Sequence, residues 1–87
     1  MKRVIVESEK NAYEELLGKK VCIISLTYIY AGELTGVNDT CIALKNAQIV
    51  YDTGSWSKAS WEEAEALPCE EYYVSIACIE SFGEIDK

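Results

Sequence analysis

The feature that most constrains the fold is a run of strand-forming residues at positions 21–51, VCIISLTYIYAGELTGVNDTCIALKNAQIVY. β-Branched and aromatic side chains dominate this run, and no proline interrupts it, which favours strands. Asn38 and Asp39 supply turn chemistry, because their side chains bond nearby backbone amides and tolerate left-handed conformations. We therefore predict three antiparallel strands at residues 21–27, 28–35 and 41–51, the third bent near Asn46.

Glycines within the second of these strands point to a curved sheet. Gly32 and Gly36 interrupt the strand pattern, and glycines in such places mark bulges, sharp bends or a close approach of two backbones. Two more short strands are predicted at residues 71–75 and 79–85. Their core-directed residues are Val74, Ile76, Ile79 and Phe82. A meander of bent strands closes a small barrel in a short chain, so the predicted fold is mainly β, a five-stranded bent antiparallel barrel.

Helices are predicted on either side of the strand-rich run. Residues 8–17 carry an amphipathic pattern, with Ser8 placed as N-cap and Gly18 just past the end. Ser60 and Glu63 have capping-box spacing, which predicts a short helical insertion between strands three and four, stopped by Pro68. The apolar residues 4–6 are interpreted as an edge strand or as an arm against a neighbour.

Trp56 and Trp61 fall in the same insertion, close to a candidate turn at Asp52. One interpretation is that the two indoles staple the insertion onto the barrel. The alternative is a stacking platform or a subunit contact, since tryptophan is enriched in both.

Length and hydropathy limit the organisation of the chain. Eighty-seven residues allow one domain, residues 1–87, and a chain this short buries a modest core that oligomerisation would supplement. The sequence has no run long enough to span a bilayer and no signal-peptide pattern at Met1. We predict a cytoplasmic protein with no membrane partner.

Charge is distributed unevenly along the chain. The net charge of −7 arises entirely after residue 51, where nine acidic residues are accompanied only by Lys58 and Lys87. An acidic chain repels phosphate backbones, which weighs against nucleic acid as the default partner. Lys19, Lys20 and Lys45 remain candidates for a local basic patch on one face.

The sequence offers little for catalysis or metal binding. It has no histidine, and Cys22, Cys41, Cys69 and Cys78 lack metal-ligand spacing, so they are interpreted as structural, with Cys69 alone reachable from solvent. No serine or cysteine lies beside a base, and no phosphate loop is present. An aspartic-protease site needs two Asp-Thr-Gly carboxylates that face one another, and this sequence has a single copy, Asp52-Thr53-Gly54. We predict no catalytic residues, no metal, no cofactor and no small-molecule substrate, and therefore not an enzyme.

One motif carries a family resemblance. Gly32-Glu33-Leu34, the Asn38-Asp39 turn and the strand through Ile42 and Leu44 are similar to the first motif of the Sm/Sm-like (LSm) family. Residues 18–21 resemble the family's entry into its first strand, and the resemblance extends over roughly residues 10–82. Residues 49–54, with a tryptophan soon after, resemble small uncharacterised Sm-like proteins of phages and bacteria. A phage origin would place the protein in the host cytoplasm.

The resemblance implies an SH3-like barrel that forms a homo-oligomeric ring, in which the last two strands meet between neighbouring subunits. The interface residues expected from those strands are Tyr72, Tyr73, Val74, Ile79 and Phe82. The alternative is a monomer in which Tyr72 or Tyr73 covers its own core.

The resemblance also implies an RNA pocket, in which Asp39 matches the family's loop acid. Thr40 and Cys41 replace the stacking residue and the asparagine, and residues 75–79 lack the Arg/Lys-Gly pair of the second motif. We therefore predict weak or absent RNA binding. The function inferred is a ring-forming assembly module; the alternative is an RNA-binding Sm-like protein of RNA metabolism. Its RNA-contacting residues would be Asn38, Asp39, Thr40, Lys19, Lys20 and Lys45.

Overall fold

The computed structural model describes residues 11–87, which form one short helix and six strands. In chain order these are α1 (Ala12–Glu15), β1 (Lys20–Ser25), β2 (Ile29–Val37), β3 (Cys41–Asp52), β4 (Glu63–Ala66), β5 (Glu71–Ser75), a 3-10 turn (Ile76–Cys78) and β6 (Ile79–Glu84). The predicted N-cap at Ser8 and the apolar residues 4–6 lie outside the described residues.

All six strands belong to one antiparallel sheet, whose longest strand is β3. β2 pairs with one side of β3, while the other side is shared between β5 at residues 41–45 and β4 at residues 48–52. β1 lies between β2 and β6. Within residues 11–87 no ladder joins β5 to β6, so the sheet is open. The mainly-β prediction is confirmed, with the correction that the sheet has six strands rather than five and is not closed.

The predicted bends in β2 and β3 are confirmed at three positions. The β2–β3 register shifts between Ala31 and Glu33 and again between Leu34 and Gly36. Opposite the first shift, Asn46 has φ 54°, a left-handed conformation that asparagine tolerates better than most residues. At Gly32 the two strands approach so closely that an added Cβ would lie 3.0 Å from the Lys45 carbonyl oxygen.

The predicted insertion helix is wrong, because residues 63–66 form strand β4. Glutamate and alanine are good helix formers, but intrinsic propensity is a weak preference. β3 extends past the end of β5, and β4 pairs with this free part of β3 in the register Ile49↔Glu65 and Val50↔Ala64. Ala64 is half-buried between exposed Glu63 and Glu65, which is the alternation expected of a strand.

The N-terminal helix is shorter than predicted in its described part. α1 ends at Glu15, and its N-cap is Asn11, whose Oδ1 accepts a hydrogen bond from the Glu14 amide at 2.9 Å. Gly18 has φ 84°, which matches its predicted place beyond the end of the helix.

The core draws its buried side chains from four of the strands, β1, β2, β3 and β5. Its buried members are Val21, Ile23, Tyr30, Leu34, Ile42, Leu44, Ala47 and Val74. Ile76, Ile79 and Phe82 are partly buried against this cluster, so all four core-directed residues predicted near the C-terminus contact the core. No helix in residues 11–87 is long and apolar enough to cross a membrane.

Candidate functional site

The two candidate binding edges of the molecule are the outer sides of β5 and β6. Hydrogen bonding in an antiparallel pair alternates, so one observed bond fixes which amides point outward. The Ile76 amide donates to the Thr40 carbonyl at 2.9 Å, and the β5–β3 register continues as Ser75↔Cys41 and Val74↔Ile42. Val74 therefore bonds to β3, whereas the backbone groups of Tyr73 and Ser75 face away from the sheet.

In β6, too, one observed bond fixes which backbone amides point outward. The Ile85 amide donates to the Lys20 carbonyl at 3.0 Å, and the register continues as Glu84↔Val21, Gly83↔Cys22 and Phe82↔Ile23. The backbone groups of Phe82 and Glu84 therefore face outward. Both edges are uncharged at their centres, with residues 72–75 reading YYVS and residues 81–83 reading SFG.

The predicted interface side chains mostly serve the chain's own core. Val74 is buried, and Tyr72 packs against Tyr30 with ring centroids 5.3 Å apart. Ile79 is partly buried. Phe82 stacks on Tyr13 at 4.1 Å with an interplanar angle of 17°. Tyr73, 62% exposed, is the predicted interface residue whose side chain is most available to a partner.

A groove of about 190 Å³ lies beside the β5 edge. Its lining residues are Ser25, Thr27, Tyr30, Tyr72, Tyr73, Val74, Ser75 and Cys78. Burial, followed by a hydrogen bond with Tyr72, raises the pKa of Tyr30 to about 12, so this phenol stays neutral at physiological pH. This groove was not predicted from the sequence, although the tyrosines at 30, 72 and 73 that line it were a signal that could have indicated it.

The predicted RNA loop is a tightly bonded turn. Asn38 Oδ1 accepts hydrogen bonds from the Thr40 amide at 2.8 Å, the Thr40 hydroxyl at 3.1 Å and the Cys41 amide at 2.9 Å. The Asn38 amide in turn donates to the Cys41 carbonyl at 3.0 Å. Asp39 and Thr40 are exposed at the tip. A base edge would have to compete with these three bonds to reach Asn38 Oδ1.

The three candidate lysines are interleaved with acidic residues and do not form a basic patch. Lys19 Nζ lies 3.6 Å from Glu84 Oε1. Lys20 is directly opposite Glu33, and Lys45 is opposite both Glu33 and Glu71. Since residues directly opposite in a sheet share a face, the row alternates in sign across β1, β2, β3 and β5. Such a row has little net attraction for a phosphate backbone.

The β3–β4 loop brings Trp56 and Trp61 together with Lys87, which no pattern in the sequence links to them. Trp56 and Trp61 meet edge to face, with ring centroids 5.6 Å apart and an interplanar angle of 85°. Lys87 Nζ lies 4.3 Å from the Trp61 centroid and 5.5 Å from that of Trp56. The predicted turn is confirmed, because Asp52 Oδ1 accepts a hydrogen bond from the Gly54 amide at 2.9 Å.

The cysteines differ from prediction at one position. Cys22 is buried and Cys41 half-buried, but Cys78 is exposed along with Cys69, because Cys78 ends the 3-10 turn between the two edge strands. Burial raises the pKa of the Cys22 thiol, which keeps it protonated. Within residues 11–87, no three histidine, cysteine or acidic side chains converge in a way that could hold a metal ion.

A comparison with protein-family models found none that matches this chain, and a comparison with curated proteins found no match either.

Proposed function

We propose that this protein is an assembly module that binds copies of itself, with the β5 edge of one subunit pairing with the β6 edge of the next. The observation that carries the proposal is that, among residues 11–87, the outer edges of β5 and β6 are unpaired, each with outward amides and carbonyls and an uncharged centre. The outer edge of β4 is also unpaired there, but its sequence, EAEA, carries a charge at every second residue. Exposed edges of this kind are templates for pairing with another chain.

The two edges differ in sequence, so their contact is head to tail. A head-to-tail contact generates a closed ring when its rotation allows closure. Ring formation is also what the resemblance to the Sm-like family implies for the last two strands. In the proposed ring, strands β1, β2, β3, β5 and β6 of each open sheet would correspond to the five strands of the Sm-like family, with β4 as an addition.

A side chain beside the β5 edge supports the same contact. Tyr73 projects from β5, and tyrosine suits interfaces because its ring is apolar while its hydroxyl stays hydrated. Pairing at the β5 edge would cover Tyr73, and the chain's modest core gives assembly a stabilising role.

The proposed function does not involve RNA binding. The alternating charges at Lys20, Glu33, Lys45 and Glu71 and the bonded turn at Asn38 both argue against an RNA surface there.

Ser75 is the position at which the contact can be blocked selectively. Its φ of −67° matches the value of about −65° that proline imposes, and its amide points outward. Ser75→Pro therefore removes an edge donor while the bonds between β5 and β3 remain. Val74 is unsuitable for this purpose, because its amide bonds to β3 and its side chain is buried.

Sedimentation analysis of the unchanged chain, Ser75→Pro and the control Ser75→Ala tests the proposal. We expect the unchanged chain and Ser75→Ala to have a mass several times the 9.7 kDa of one subunit. Ser75→Pro should run as a monomer with an unchanged circular dichroism spectrum. A stable 9.7 kDa species for the unchanged chain, or full assembly of folded Ser75→Pro, would refute the proposal.

A further inference from the structure

We propose that the loop at residues 53–61 is a binding site for a primary alkylammonium, the end group of a lysine side chain, and that Lys87 fills this site in cis. The site lies between β3 and β4, on a segment that the assembly proposal does not use. A lysine on another chain would occupy the same place when Lys87 leaves it.

The geometry of Lys87 is that of a bound ligand. Its ammonium faces two indole rings, at 4.3 Å and 5.5 Å from their centroids, which is within the range of a cation–π interaction. The same nitrogen donates hydrogen bonds to the carbonyl oxygens of Thr53 at 3.1 Å and Ser55 at 3.0 Å. Four groups of one short loop therefore converge on a single nitrogen that is more than 25 residues away in sequence.

Recognition here depends on shape and hydrogen bonding, with no direct ion pair. Among residues 11–87, the ion pairs are Lys19–Glu84 and Lys58–Glu62, so Lys87 lies on the indoles although the chain has an excess of acidic residues. Carbonyl oxygens accept hydrogen bonds and require N–H donors. A primary ammonium satisfies both the rings and the carbonyls, whereas a quaternary ammonium satisfies the rings alone. The site should therefore prefer unmodified lysine to trimethylated lysine.

Open clefts on both sides give access to the site. One, of about 430 Å³, has Lys20, Trp61, Glu62 and Lys87 among its lining residues. The other, of about 410 Å³, is lined in part by Trp56, Asp86 and Lys87. Lys87 lies at the boundary of the two clefts. Its departure would join them and leave both indole faces open to an incoming side chain.

The covalent connection gives Lys87 an advantage over any lysine in solution. A tethered ligand acts at an effective concentration in the millimolar range when its linker spans the site. An external amine therefore has to displace Lys87 in the unchanged chain, but enters freely once Lys87 is replaced. This difference separates occupation in cis from occupation in trans.

The experiment follows the indole N–H signals of Trp56 and Trp61 by NMR in the unchanged chain and in Lys87→Gln, during titration with n-butylammonium. We expect Lys87→Gln to shift both signals without ligand, and n-butylammonium to bind Lys87→Gln about tenfold or more tightly than the unchanged chain. n-Butyltrimethylammonium, which keeps the charge and the alkyl chain, should bind Lys87→Gln several-fold more weakly than n-butylammonium because it donates no hydrogen bond.

A control substitution tests whether the effect is specific to Lys87. Lys45→Gln removes a cation from β3, outside both clefts, and should leave the indole signals and the titration nearly unchanged. The proposal is overturned if Lys87→Gln leaves both indole signals in place. It is also overturned if n-butylammonium does not bind Lys87→Gln, binds both chains equally, or binds no better than the trimethyl compound.

Discussion

At the scale of single residues, Gly32 is the strand glycine with the least room for a side chain. An added Cβ would lie 3.0 Å from the Lys45 carbonyl oxygen and 3.2 Å from the Cα of Ala47, and neither backbone atom is able to move aside cheaply. We expect Gly32→Ala to lower the free energy of unfolding by about 1–3 kcal/mol, the usual cost of overpacking. Urea denaturation measures this loss.

Gly36 provides the matched control in the same strand. A Cβ there would meet the Cβ of Ala43 at 3.6 Å, an ordinary van der Waals contact. Gly36→Ala should change the free energy of unfolding by less than about 0.5 kcal/mol. An equal loss for the two substitutions would show that the close approach at Gly32 is not what limits its side chain.

At the scale of elements, an aromatic pair connects α1 to β6. The rings of Tyr13 on α1 and Phe82 on β6 stack with centroids 4.1 Å apart. A four-residue helix has little stability of its own, so this contact orients the helix against β6. We expect a double-mutant cycle of Tyr13→Ala and Phe82→Ala to give a coupling energy of about 0.5–1.5 kcal/mol.

The same cycle distinguishes a core role for Phe82 from an interface role. If Phe82 acts mainly between subunits, Phe82→Ala will lower the assembly mass and its effect on unfolding will add to that of Tyr13→Ala without coupling. If it acts within the subunit, as the stack indicates, coupling will persist at protein concentrations where the chain is monomeric. Thermal unfolding at low and high protein concentration separates the two results.

At the scale of the whole molecule, stability should fall in strongly alkaline solution. The pKa of Tyr30 is raised from 10.0 to about 12, chiefly by burial, and burial also raises the pKa of Tyr13. Between pH 10 and about 12 the unfolded chain has released the Tyr30 proton, whereas the folded chain retains it. The contribution of Tyr30 to the free energy of unfolding is therefore complete below pH 10 and is lost as the pH rises through about 12.

Tyr30→Phe tests this assignment, because it removes the titrating hydroxyl and keeps the buried ring. We expect the free energy of unfolding to decline less steeply between pH 10 and 12 in Tyr30→Phe than in the unchanged chain. Identical slopes would mean that Tyr30 titrates normally in the folded protein. Ultraviolet absorbance of tyrosinate gives an independent reading of the same titration.

Features of the fold that depend on neighbouring residues could be predicted from the sequence, whereas features that depend on distant residues could not. β-Branched residues, the Asn38 turn and the in-strand glycines are local signals, and they predicted β1, β2, β3 and their bends to within a few residues. The segment at residues 63–66 has the local signal of a helix, but the free edge of β3 is a long-range feature, and pairing with it outweighs the weak helical preference. The aromatic contacts are long-range in the same way, since only tertiary packing places Phe82 on Tyr13 and Tyr72 on Tyr30.

By itself, then, the sequence determined that this chain is mainly β, where its first strands bend, and that its last two strands are separate short segments. The tertiary structure decided that, within residues 11–87, the sheet is open with β5 and β6 at edges. It also decided that Lys20 and Lys45 lie opposite Glu33, and that Lys87 lies against Trp56 and Trp61. The physical reason is that strand bends follow from the conformational preferences of neighbouring residues. Pairing order, charge neighbours and the cation–π contact arise between residues far apart in the chain, and become definite only when the sheet has formed.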